Sequence, residues 1–229
     1  MILTPSPNCD DRPTDTPIDM LVLHYTGMPS GAAALQRLRD PAAQVSAHYL
    51  IEEDGRVFAL VEEHRRAWHA GVSSWRGHAN INARSVGIEL VNPGHEFGYR
   101  PFPAAQMAAL AELARGILSR HPIPARNVVA HADVAPLRKE DPGELFDWAG
   151  LAAQGIGLWP RPQTPQPLPL PPLRVLLARW GYDTGTDAAT RAAVMAFQRH
   201  YRPRRHDGVE DAETAVLLAA LLGSVGEEI

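Results

Sequence analysis

Apolar and polar positions along this chain alternate between two rhythms. Residues 20–25, MLVLHY, form a continuous apolar run that breaks at a histidine. Such a run predicts a strand buried on both faces. Residues 31–40, GAAALQRLRD, predict a short helix stopped by Pro41. Residues 46–61, SAHYLIEEDGRVFALV, hold two strand-like runs around Asp54-Gly55, a hairpin signal. Residues 85–92, SVGIELVN, predict another strand, with Val86, Ile88 and Leu90 on one face and Gly87, Glu89 and Val91 on the other. Residues 103–121 switch to helical spacing, with Met107, Leu110, Leu113 and Ile117 three or four apart. A short strand at 126–131 and a helix at 142–155 with a glycine stop complete this part. Strands interleaved with helices predict an α/β fold, a mixed central sheet flanked by helices on both faces.

The pattern is interrupted at residues 160–172, PRPQTPQPLPLPP, where seven of thirteen residues are proline. Proline restricts φ and removes a backbone donor, so this stretch predicts an extended, semi-rigid spacer. Beyond it, residues 172–182, 187–201 and 211–223 read as three short helices. Asp187 and Asp211 are the expected N-caps, and Gly181 and Gly223 the expected stops. The predicted organisation is therefore a domain over 1–159, a linker over 160–172 and a small helical bundle over 173–229.

Composition narrows the classes. The chain has 229 residues, 45% hydrophobic and 21% charged, with net charge −4. This is an ordinary globular balance with no basic stripe, which argues against a nucleic-acid partner. Cys9 is the only cysteine, so an intrachain disulfide and a cysteine-based zinc ribbon are both excluded. No apolar run reaches the roughly 18 residues that would span a bilayer. The first residues, MILTPSPNCDDRP, lack a basic start and an apolar segment, so the expected compartment is the cytoplasm. A processed or incomplete N-terminus would make it the periplasm or cell envelope. The chain is expected to be a monomer.

Of ten histidines, two close apolar runs: His24 after LVL and His131 after NVVA. Strand exits are where function gathers in open α/β sheets. Asp141 follows His131 by ten residues, at the end of a loop marked by Pro136 and Pro142 and expected to return without a helix. Two imidazoles and a carboxylate with a fourth position left for water make a catalytic zinc set. Satisfied polar residues at strand ends are the plainer reading. Glu89 stands inside an apolar strand, where a carboxylate is costly unless paired or set in a polar cavity. It reads as a general base beside a metal or as half of a structural ion pair. Lys139 reads as a charge for a developing oxyanion or as a solvated lysine in RKED.

Five segments, LVLHYTG, SAHYLIEEDG, AWHAGVSSWRG, SVGIELVNPG and NVVAHADVAPLRKEDPG, together resemble the type 2 N-acetylmuramoyl-L-alanine amidases. These are zinc enzymes related to peptidoglycan recognition proteins and phage lysozyme-type amidases. The resemblance runs over about residues 18–160 in the family's order. It implies that His24, His131 and Asp141 bind Zn2+, that Glu89 is the catalytic acid/base, and that Lys139 stabilises the transition state. Many relatives carry cysteine as third ligand; this chain carries aspartate, as the bacterial recycling-type members do. The resemblance places WHAG (68–71) in the substrate-groove wall, making Trp68, His69, Trp75 and Tyr25 the candidate contacts to peptidoglycan or a muropeptide. His48 reads instead as a buried, hydrogen-bonded histidine. The implied reaction is hydrolysis of the amide between N-acetylmuramic acid, or its 1,6-anhydro form, and L-alanine. A recognition protein that holds muropeptides without cutting them is the alternative. The tail, with AFQ in its second helix and DG…D..T before its third, resembles the three-helix peptidoglycan-binding domain. The proline spacer makes it a tethered second module by this reading; a small packing or dimerisation domain, or a bundle that packs on the first domain, is the alternative.

Overall fold

A computed structural model describes residues 1–162 and 169–227. Most of the proline spacer, residues 163–168, lies outside the described residues, and so does the expectation that it is extended.

The main sheet has six strands: β1 (Ile2–Leu3), β3 (Met20–Tyr25), β4 (Tyr49–Ile51), β5 (Val57–Ala59), β9 (Ser85–Leu90) and β10 (Val128–Ala130), in the order β1-β5-β4-β9-β3-β10. β4, β9, β3 and β10 run parallel, and β5 turns back antiparallel to β4. The sheet is mixed, as the interleaved pattern predicts. Two side ladders pair β2 (Cys9–Asp11) with β6 (Arg65–Ala67) and β7 (Ser74–Trp75) with β8 (His78–Ala79). β3 lies between two parallel neighbours, and Met20 to Leu23, whose side chains alternate between its two faces, are all buried, so both faces are covered. That explains its unbroken apolar run. The β4–β5 hairpin turns through Gly55 at φ +87°, where a Cβ would come within 2.9 Å of the Ala105 carbonyl oxygen.

α1 (Gly31–Arg39) starts on Ser30, whose side chain accepts from the Ala33 amide. α2 (Gly94–Phe97) is a single turn, and α3 (Ala104–Arg120) buries Leu110, Leu113, Ala114 and Ile117. α4 (His131–Val134) is a one-turn helix that begins at the predicted ligand itself. The helix-free loop expected after His131 is therefore corrected. The Asp133 side chain accepts from the Ala130 amide at 2.8 Å and caps that turn. α5 (Trp148–Ala153) closes this part.

α6 (Leu173–Trp180), α7 (Asp187–Tyr201) and α8 (Ala212–Ser224) form the bundle. Asp211 caps α8 as expected, but Thr186 rather than Asp187 caps α7, and α8 runs on through Gly223. The bundle does not stand apart. Leu176, Leu177, Trp180, Val194 and Phe197 belong to the same continuous apolar core as Leu21, Trp75 and Trp148. Trp75 packs edge-on to Tyr182 at 5.1 Å between ring centres, and Trp148 stacks on His200 at 3.7 Å. The Arg126 guanidinium lies over the Trp180 ring at 5.0 Å and donates to its carbonyl at 3.0 Å. The tethered-module expectation gives way to a docked bundle, because the helix faces meet aromatic and polar groups shaped to receive them.

Candidate metal centre and cleft

The site is assembled at the carboxyl ends of the parallel strands. The β3–β9 register pairs His24 with Glu89, so both side chains leave neighbouring strands on the same face. On the other side, Ala130 pairs with Leu23, which brings His131, the next residue, alongside His24. The chain then leaves through α4 and comes back, with the Ala132 amide donating to the Asp141 carbonyl at 3.0 Å. That bond returns the Asp141 side chain to the two histidines.

Three atoms converge there. His24 Nδ1 and His131 Nδ1 are 2.9 Å apart, and each lies 3.1 Å from Asp141 Oδ2. All three side chains are buried. A tetrahedral ion with bonds of about 2.0–2.1 Å holds its ligands about 3.3 Å apart, so the triangle is of the right size. Its donors are also of the right kind. His131 Nε2 faces the Ala70 carbonyl oxygen at 3.1 Å, and a carbonyl can only accept. The ring proton therefore sits on Nε2, and Nδ1 turns a bare lone pair toward Asp141. Burial first, and the neighbouring His131 second, push His24 down to about 4, so it is neutral near pH 7. Burial alone would push the Asp141 carboxyl up, but its two histidine neighbours, His131 foremost, outweigh burial and hold the group well below the usual carboxylate range. Two imidazoles and one carboxylate with donor atoms 2.9–3.1 Å apart fit a bound divalent cation. Among the described residues, these three form the cluster able to hold a metal.

Glu89 lines the adjoining cleft, and its Oε2 is sealed without a hydrogen-bond partner. The structural ion pair considered for Glu89 is absent among the described residues. Burial, followed by the negative charge of Asp141, raises its pKa well above the ordinary value, and Lys139 opposes this. Tyr25, Trp68, Arg138, Lys139 and Glu140 also line the cleft, which has a volume of about 370 Å³.

The predicted residues divide cleanly by position. His24, His131, Asp141, Glu89 and Lys139 come together, with Tyr25 and Trp68 on the cleft wall. Trp75 does not: it is 1% exposed and covered by Tyr182, which corrects its assignment as a substrate contact. His69 touches the cleft, but its ring nitrogens face His24 Nε2 and Ser85 Oγ, each at 3.0 Å. Both ring nitrogens are thus engaged within the protein, and neither is free for substrate. His48 is buried, and its Nδ1 accepts from the Gly87 amide at 2.9 Å. Asn82, Ser85, Asp133 and Arg138 were not singled out from the sequence. Asn82 lies in loop-like sequence, and the Ser85 hydroxyl opens a strand, so neither carries a local signal.

The carboxyl ends of parallel strands here present two imidazoles, a carboxylate and an unpaired glutamate, a set that could hold a metal and serve a hydrolase. Residues 14–144 match the family Amidase_2, N-acetylmuramoyl-L-alanine amidase, and the chain belongs to that family. It is 42% identical to N-acetylmuramoyl-L-alanine amidase AmiD of Escherichia coli (strain K12), over 92% of this chain and 84% of the relative. It is 37% identical to 1,6-anhydro-N-acetylmuramyl-L-alanine amidase AmpD of Citrobacter freundii, over 65% of this chain and 87% of that one. The structure of E. coli AmiD in complex with the substrate anhydro-N-acetylmuramic acid-L-Ala-D-gamma-Glu-L-Lys superposes with TM-score 0.83, at 42% identity, covering 94% of this chain and 93% of that one. AmpDh3 from Pseudomonas aeruginosa superposes with TM-score 0.83 at 38% identity, covering 93% of this chain and 94% of that one. No helix among the described residues is long and apolar enough to cross a membrane.

Proposed function

We propose that this chain hydrolyses the amide joining the lactyl group of N-acetylmuramic acid, or its 1,6-anhydro form, to L-alanine, with zinc held by His24, His131 and Asp141. The observation that carries this reading is Glu89. An unpartnered carboxylate oxygen beside three converging metal-type donors is expensive for a fold and useful to a hydrolase. Family membership and the substrate named for E. coli AmiD support the choice of bond.

Zinc at this centre would polarise a carbonyl oxygen and lower the pKa of a bound water to about 7. The chain's own residues do the rest. Glu89, which a cation at the neighbouring centre would favour as the carboxylate, accepts the proton of the attacking water and returns it to the leaving amine nitrogen. Lys139, whose charge reaches Glu89 and His24, faces negative charge developing on the carbonyl oxygen. Tyr25 and Trp68 wall the cleft in which the sugar and peptide lie. A pure muropeptide binder needs that wall but not Glu89, which is why the catalytic reading is preferred.

The test is direct. Purified protein is incubated with an anhydro-muropeptide monomer and, separately, with whole sacculi, and products are read by mass. Release of free L-alanyl peptide is expected, with loss on chelation and recovery with zinc. Tight muropeptide binding without release would favour the recognition reading instead.

A further inference from the structure

The dipeptide His69-Ala70 lies behind both histidines of the metal centre and touches each with a different group. His69 Nδ1 stands 3.0 Å from His24 Nε2, and the Ala70 carbonyl oxygen stands 3.1 Å from His131 Nε2. The proton positions along the first contact can be worked out from its far end. The Ser85 hydroxyl has one proton, and it points at the Ile81 carbonyl oxygen at 2.7 Å, an acceptor only. Ser85 Oγ can therefore only accept from His69 Nε2 at 3.0 Å. A neutral His69 protonated on Nε2 has a bare Nδ1. That Nδ1 must accept from His24 Nε2, and His24 then presents a bare Nδ1 to Asp141 and His131. One serine proton thus dictates the tautomer of a ligand two residues away in the chain of contacts.

The dipeptide is itself held from two sides. The Asn82 side-chain oxygen accepts from the His69 amide at 3.1 Å and from the Ala70 amide at 2.7 Å. On the opposite side the His69 ring presses on β9 at Gly87, where an added Cβ would fall 2.5 Å from the ring's Cγ and 2.6 Å from its Nδ1. A glycine inside a strand usually weakens it; here it makes room for the ring.

From these contacts we infer that Asn82, Ser85 and Gly87 are positioning residues that hold His69-Ala70 as a frame, and that the frame sets the tautomer and orientation of both metal-binding histidines. Groups that accept the second ring proton of a metal-binding histidine typically change metal affinity about 10–100-fold when removed. The inference rests on His24 and His131 being the ligands.

The test uses the full-length, zinc-loaded protein. Long-range 1H–15N spectra of the imidazoles are expected to show His24, His131 and His69 each protonated on Nε2. A His69 protonated on Nδ1 overturns the frame. Zinc dissociation constants from chelator competition give the second readout. Ser85→Ala and Asn82→Ala are expected to bind zinc about 10–100-fold more weakly. Ser85→Thr, which keeps donor and acceptor, is expected to bind close to wild type. Wild-type affinity in both alanine variants overturns the frame. His24→Ala separates the two readings. If it binds zinc like wild type, the ligand assignment itself fails. If it loses zinc while the alanine variants at 82 and 85 keep it, only the frame fails. Should a variant not fold, the wild-type spectra decide alone.

Discussion

At the scale of single residues, Glu89 carries the most chemistry at an evident cost in stability. Its pKa stands well above 4.5, chiefly through burial and then through the charge of Asp141. Without a metal ion the fold therefore prefers the protonated acid. The stability linked to this group is complete below about pH 4.5 and is lost as pH rises toward the raised value. Replacing Glu89 by Gln removes that loss while keeping the shape. In metal-free protein, Glu89→Gln is expected to melt a few degrees higher at pH 7.5 and no higher at pH 4, as thermal scans at both pH values would read. In the zinc-loaded enzyme the same variant is expected to keep its metal and lose on the order of 10²-fold or more in kcat. Near-normal kcat would mean that another group moves the proton. A lower-melting variant at pH 7.5 would mean that the carboxylate is paired in solution. Lys139→Ala is expected to keep zinc and lower kcat, with KM for a muropeptide little changed, because its charge acts on the transition state. An effect on KM alone would assign it to substrate binding. His24, His131, Glu89 and Asp141 were legible in the sequence because each is a polar residue where the apolar pattern breaks or a turn signal stands. Asn82 and Ser85 were not, since their roles depend on which way one proton points. That direction is decided by carbonyls elsewhere in the fold.

At the scale of elements, the strands were legible and their supports were not. MLVLHY and SVGIELVN form β3 and β9 with residues 20–25 and 85–90 in the ladder, because a parallel central strand must be apolar on both faces. The register that sets His24 beside Glu89 depends on strand pairing, which no single run declares. α4 was missed because one turn is too short to show periodicity. Its stability comes from afar. The Asp133 carboxyl caps it by accepting from the Ala130 amide, and also accepts from the Tyr182 hydroxyl at 2.5 Å and from His200 Nδ1 at 2.7 Å. His200, near the end of α7, is 2% exposed. Tyr182→Phe removes one of these bonds and nothing else. Lost hydrogen bonds to carboxyl groups of this kind cost about 1.5–3 kcal/mol. A lower urea midpoint with unchanged slope is therefore expected, and an unchanged midpoint would show the bond to be worth nothing in solution.

At the scale of the whole molecule, the question is whether the tail is a passenger or a part of the structure. The AmpD relative from Citrobacter freundii matches 65% of this chain along 87% of its own length, so a shorter amidase is a workable architecture in that branch. In this chain the corresponding surface is committed to the bundle. Trp75, Trp148 and Tyr182 are buried in one continuous core with Leu176 and Phe197. Arg126 is 8% exposed, paired with Glu227 at 2.6 Å and donating to the Arg179 and Trp180 carbonyls. Asp133 draws two of its partners from the tail. Removing the bundle would expose the two tryptophans and leave Arg126 and Asp133 without those partners, and large destabilisations come from such losses. A chain ending at Leu158 is therefore expected to melt early or aggregate, even on assays with a small soluble muropeptide. Cutting the covalent link tests the same interface without deleting anything. With a protease site placed within residues 163–168, the two pieces are expected to co-elute after cleavage and to separate only in denaturant. Their joint unfolding is expected to remain a single calorimetric transition, because a shared core melts as one unit. Pieces that part in plain buffer, or two separate transitions in the intact chain, would restore the tethered arrangement. If the bundle also grips peptidoglycan, a docked bundle holds the polymer at one set orientation to the cleft. Pelleting with sacculi should then survive the cleavage with both pieces in the pellet, whereas a flexible tether would bring down the tail alone.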